Sequence, residues 1–202
     1  MNQIIAKIGS VIVAITVLLF AVCMLISFNF GSYFICMLLP IGYIMMIGGF
    51  CYESDDNHKV AAYIGMTFAA VYAVLILLVY FAQITAVRLD SLNEQAMRIL
   101  DYSRGGLFFS YDLLGYGMMA LSTFFTGLTI NVKTKADKWL KSLMIIHGIF
   151  FFGCLIMPMT GVFSSMSNGD TSIGGVIALE FWCVYFLPIG ALAYKHFRKN
   201  NK

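Results

Sequence analysis

The run "IGSVIVAITVLLFAVCMLISF", from Ile8 to Phe28, decides the fold, because it carries no charged side chain from end to end. A helix needs about 20 mostly apolar residues to cross the hydrocarbon of a bilayer, and this run supplies them unaided. It is too long for the core of a secretory signal and has no Ala-x-Ala exit, so it is expected to remain as a membrane span. Phe20-Ala21-Val22-Cys23 is a weak echo of a lipoprotein cleavage box, but Val22 is bulky for the position before the cysteine. Further apolar stretches follow, and the expected spans are 8–28, 32–52, 60–82, 107–130, 142–163 and 173–194.

Composition leads the same way. The chain is 60% hydrophobic and 11% charged, against roughly 25% charged in an ordinary soluble domain. A globule of this kind in water would expose large apolar patches and associate. In lipid every backbone group must be satisfied internally, so only helices and closed barrels cross, and the unbroken hydrophobicity does not fit the alternating strands of a barrel. The expectation is an all-α integral membrane bundle of six transmembrane helices, forming one domain over residues 1–202. The five cysteines lie in or beside apolar spans, without CxxC or zinc-type spacing, and read as small packing residues.

Lysine and arginine give the orientation. With a cytoplasmic N-terminus, the inner segments hold Lys7, Lys59, Lys133, Lys135, Lys138, Lys141, Lys195, Arg198, Lys199 and Lys202, and the outer segments only Arg88, Arg98 and Arg104. This bias places both termini in the cytoplasm. Pro40, Pro158 and Pro188 fall inside spans and are expected to kink them. Gly65, Ala69 and Ala73, and more briefly Gly174 and Ala178, form small-residue stripes that permit close helix packing. The "LPIG" at 39–42 and 187–190 is taken as coincidence rather than a repeat. In the long outer connection, Leu89, Leu92, Ala96, Ile99 and Leu100 recur at helical spacing. An amphipathic segment over 88–104, or an extension of the third span, is expected there, serving as an interfacial anchor or as a lid over an outer-facing cavity.

Three ionisable residues fall within spans, and such residues raise a functional hypothesis by default. Asp112 is the lone charge of "LFFSYDLLGYGMMALSTFFTGLTI" (107–130), Glu180 lies in the sixth span and His147 in the fifth. At ~1.5 Å per residue, Asp112 lies about 8 Å and Glu180 about 10 Å inside the outer boundary, whereas His147 lies toward the cytoplasm. Gln83 and Arg88 stand at the outer end of the third span. Asp112, Gly115, Tyr116, Met119, Thr123 and Thr126 share one side of the fourth span, more polar than its surroundings. Two readings stay open: an interhelical pair of Asp112 or Glu180 with Arg88 or a neighbouring Tyr or Gln, and an outward-facing site for a solute, cation or proton. His147 reads as a hydrogen-bonded packing residue.

Several chemistries lack their residues. Haem wants paired axial ligands, a Schiff base wants an intramembrane lysine, and the phosphate, dinucleotide, zinc-protease and serine-hydrolase motifs are missing. No basic domain suits nucleic acid. No cofactor and no metal are expected.

"YFAQITAVR" (80–88), "YDLLGYGMMALS" (111–122) and "EFW" (180–182) resemble a loose pattern in uncharacterised multi-spanning membrane proteins of bacteria. The resemblance implies a bacterial plasma-membrane protein, assigns no activity, and points by position to Gln83, Arg88, Asp112, Tyr116 and Glu180. The functional expectation is a small transporter-like or ligand-binding protein. Asp112 and Glu180 would accept a cation or proton, Arg88 would balance charge, and Gln83 and Tyr116 would orient the ligand. Two other classes remain: a membrane-embedded enzyme using the carboxylates on a lipid or isoprenoid, and a non-catalytic immunity or assembly partner, with homo-oligomers possible. Besides the lipid bilayer, the expected partners are a small cation, a proton or an amphipathic ligand.

Overall fold

A computed structural model describes residues 1–161 and 173–199 of the chain. Residues 162 and 163 of the expected fifth span, the packing of Gly174, the Lys199 side chain and Lys202 lie outside what is described. The described residues form helices joined by short turns, with no strand among them. In chain order the α-helices are α1 Asn2–Leu25, α2 Asn29–Glu53, α3 Lys59–Ala82, α4 Glu94–Leu100, α5 Leu107–Thr129, α6 Lys135–His147, α7 Phe150–Met159 and α8 Ile173–Lys199.

Among the described residues, five helical stretches are long and apolar enough to cross a membrane: Asn2–Leu25, Asn29–Glu53, Asp56–Val87, Lys135–Met159 and Val176–Arg198. Their outward faces are apolar, as at Ile177, Phe181 and Val184 on α8. Lipid gives no incentive to bury such residues, because acyl chains are as apolar as leucine. The remaining long helix, α5, has 23 residues and spans about 34 Å, but its hydroxyls, glycines and Asp112 make it less apolar than the other five. It is also central, packing against α3, α6 and α7 and touching α2 and α4. All six residues of its expected polar side are buried.

Small residues set the closest approaches. A Cβ built on Gly9 of α1 would stand 2.6 Å from the Gly42 carbonyl oxygen of α2, so those backbones cross with no room for a side chain. Ala62, Ala69 and Ala73 of α3 are buried, and the Ser122 hydroxyl of α5 donates to the Gly65 carbonyl at 2.7 Å. The expected stripe on the third span is thus occupied within the chain, against α5.

Pro40, Pro158 and Pro188 lie inside continuous helices. The interruption in the fifth apolar stretch falls at Gly148 and Ile149, between α6 and α7. There Phe124 of α5 comes close enough that a Cβ on Gly148 would stand 2.9 Å from the Phe124 Cβ. The outer connection combines the two expected forms. Past α3 the helix loosens into a π-turn, Gln83–Val87, and after a last helical step and a short irregular link α4 begins under an Asn93 cap that accepts from the Ala96 N–H at 2.9 Å. Helix α4 is shorter than the expected segment, and Leu89 and Ile99 of its expected apolar side are exposed.

Candidate functional site

The outer site is organised from Gln83. A π-turn widens the helix by one residue and is a recurrent mark of functional positions. The buried Gln83 amide donates through Nε2 to the Leu100 carbonyl at 2.7 Å and accepts at Oε1 from the Tyr102 N–H at 3.0 Å. One side chain of the third apolar stretch thereby holds the end of α4 and the turn Tyr102–Arg104 against the bundle. Asp101 tightens that turn by accepting from the Ser103 N–H and hydroxyl at 2.9 and 2.7 Å. Arg104 bridges to Glu94 at 2.7 Å and to Asp101 at 3.4 Å.

This clamp sets the Tyr102 ring among Tyr80, Tyr33 and Phe109, with centroids 5.9, 6.0 and 5.2 Å away. Tyr33 and Tyr80 are themselves 5.6 Å apart. Beneath these rings lies Asp112, one turn into α5 and 1% exposed. The Tyr80 and Tyr102 side chains are its nearest polar neighbours in effect, each favouring its charged form. Its Oδ1 has no partner among the described residues. Burial, with the Asp112 charge adding to it, pushes the Tyr102 hydroxyl well above its ordinary pKa, so Tyr102 stays a neutral donor. One turn deeper, Tyr116 stacks edge-on against Trp182 at 5.0 Å, and its hydroxyl lies 4.0 Å from the Cys36 sulfur.

The other expected site residues lie apart. Exposed Arg88 places its guanidinium 4.7 Å from the centre of the Phe30 ring, a cation–π contact at the rim. Glu180 is half-buried on α8, its Oε1 has no partner among the described residues, and the titratable neighbour that feels its charge is Cys183. No hydrogen bond or ion pair among the described residues joins Asp112 to Arg88 or Glu180. The structure therefore groups Gln83, Asp112 and Tyr116 around the tyrosines, and leaves Arg88 and Glu180 outside that group.

His147 is a satisfied packing residue. The Trp182 indole can only donate, and it donates to His147 Nε2 at 3.2 Å. The ring is then neutral with its proton on Nδ1, which donates to Thr123 Oγ1 at 2.8 Å. Thr123 passes its own hydrogen back to the α5 carbonyls of Met119 or Ala120.

Two groupings escaped the sequence reading. Tyr80 and Tyr102 are one; Tyr80 had a signal, since it precedes Gln83 by three residues and so shares its helix face. The other lies at the end of the bundle remote from Asp112. There His196 of α8 stands between Asp137 of α6, at 2.8 Å, and Glu53 of α2, at 3.0 Å. The Thr-x-x-Asp of residues 134–137 forms a capping box at the start of α6, a signal readable in the sequence.

No protein-family model matches this chain, and no curated protein and no solved structure matches it either. A functional reading therefore rests on the site. A carboxyl group that is fully buried, without an ion-pair partner among the described residues, and with a free oxygen can accept a cation or a proton. The neighbouring phenols can orient it but cannot neutralise its charge.

Proposed function

We propose that this chain is a bacterial plasma-membrane protein of six spans, with α5 as the sixth crossing and both termini cytoplasmic, that binds a small cation or proton from outside at Asp112. The single observation behind the site is the orphaned Asp112 Oδ1. Burying an unpaired carboxylate costs several kcal/mol even after relaxation, and proteins keep such a group where it is repaid by binding. Length and centrality support α5 as a crossing helix, since a helix enclosed by others has little need of an apolar exterior. The bias of Lys and Arg to one side supports the orientation. Gln83 and Tyr116 act as supports of the site, Gln83 through Tyr102 and Tyr116 from below. The assembly-partner reading draws less support, because the small-residue stripe it would use is packed against α5.

The test is ligand-dependent stability in lipid nanodiscs. Thermal unfolding of the wild-type chain is followed across pH and with sodium, potassium and methylammonium chlorides, beside Asp112→Asn. A stabilisation by acid or by one cation that vanishes in the variant supports the proposal. Identical responses of the two proteins would overturn it.

A further inference from the structure

Resting on that reading of Asp112, the geometry points to a proton as the ligand of the site, admitted when the segment held by Gln83 lifts Tyr102 away. The centroids of Tyr33, Tyr80 and Tyr102 form a triangle with sides of 5.6, 5.9 and 6.0 Å. These are distances of aromatic rings in direct contact, so an ammonium group cannot lie between them. Hard metal cations need many oxygens, six or more for calcium and an octahedron for magnesium. Among the described residues no group of three or more His, Cys, Asp or Glu side chains could hold a metal ion. A proton is the one cation satisfied by a single oxygen.

The electrostatic neighbours agree. The titratable groups that feel the Asp112 charge are Tyr33 and Cys36 of α2, Tyr72 and Tyr80 of α3, Tyr102 of the outer segment, Tyr116 of α5 and Cys154 of α7. None of these groups is a base that could carry a positive charge. Binding forms one O–H bond at a carboxyl oxygen and takes one proton from water. The site changes from anionic to neutral and needs no co-reactant. Tyr102 is the lid, because it lies on the segment that the two Gln83 bonds hold to the bundle. Breaking those bonds opens the ring cluster to outer water.

Infrared difference spectroscopy during pH steps in nanodiscs reads the proton directly. The expected result is one protonated-carboxyl stretch that rises as pH falls, moves on labelling with carboxyl-13C aspartate, and is lost in Asp112→Asn. Tyr102→Phe, which keeps the ring, is expected to shift that stretch without abolishing it, and serves if Asp112→Asn does not fold. In Gln83→Ala its hydrogen–deuterium exchange is expected to be roughly tenfold faster or more, the equivalent of one to two lost hydrogen bonds. A wild-type spectrum with no aspartate stretch titrating at any pH overturns the inference. If stability nevertheless responds to sodium, potassium or methylammonium through Asp112, the proton is wrong and the binding site stands. If neither pH nor cations act through Asp112, both fall.

Discussion

Gln83→Ala is the sharpest structural perturbation, because it removes two hydrogen bonds that hold one segment to the bundle. Each such bond contributes about 1 kcal/mol net. The partners, the Leu100 carbonyl and the Tyr102 N–H, are only partly buried, so water can reach them once the amide is gone and the full cost of orphaned groups does not apply. The loss is then about 2 kcal/mol of local stability, or ~30-fold in the opening equilibrium, since each 1.4 kcal/mol is tenfold. Hydrogen–deuterium exchange in nanodiscs measures this on peptides covering 93–106. Their exchange is expected to rise ~30-fold, while peptides from α5 below Tyr116 keep wild-type protection. Unchanged exchange over 93–106 would mean that the Arg104–Glu94–Asp101 bridges hold the segment alone. Equal acceleration throughout α5 would mean that Gln83 supports the whole fold, and in either case its role as the latch is refuted.

Three further outcomes are expected. Gly65→Ala puts a Cβ 2.5 Å from the Thr126 hydroxyl and is expected to cost about 1–3 kcal/mol as α3 and α5 are forced apart, measured by reversible unfolding in mixed detergent. His196→Ala leaves Asp137 and Glu53 facing each other without the imidazole between them; removing one partner of a buried pair costs about 3–5 kcal/mol, and this cluster is near the low end because Glu53 is partly exposed. In the loop before α3, the hydrogen bond from His58 holds the Asp55 carboxyl below its usual range, so its contribution to folding is present above the ordinary carboxylate pKa of about 3.9 and disappears as pH falls through the lowered value. Carboxyl NMR of Asp55 in wild type and His58→Ala checks this, the variant being expected to titrate at higher pH.

The sequence made the membrane architecture legible because lipid imposes a long apolar run on each crossing helix. It made Asp112 visible for the converse reason, as the one charge in such a run. The hold of Gln83 on the outer segment was hidden because Gln83 bonds to backbone atoms of Leu100 and Tyr102, and a backbone group carries no side-chain signature. Glu180 shows the limit of depth as a guide: rise per residue places a group along the membrane normal but not around the helix axis, and no hydrogen bond or ion pair among the described residues joins Glu180 to Asp112. The His196 cluster joins residues as far as 143 positions apart, from segments that read separately as a charged tail, a basic loop and a helix end. Its capping box was the one local clue.

The centrality of α5 bears on how the chain enters the membrane. The helix least suited to lipid by its own composition is also the one most enclosed by the finished bundle. Placing a carboxylic acid in hydrocarbon on an isolated helix costs about 2.5–3.5 kcal/mol at the centre, and the hydroxyls and glycines of α5 do nothing to offset it. If α5 is the sixth crossing, as proposed, its entry depends on α3, made before it, whose buried Gly65 lies against Ser122 and Thr126. On this view α3 acts as a companion during synthesis, and mutations on its packed face would show first as failed insertion, before any effect on binding.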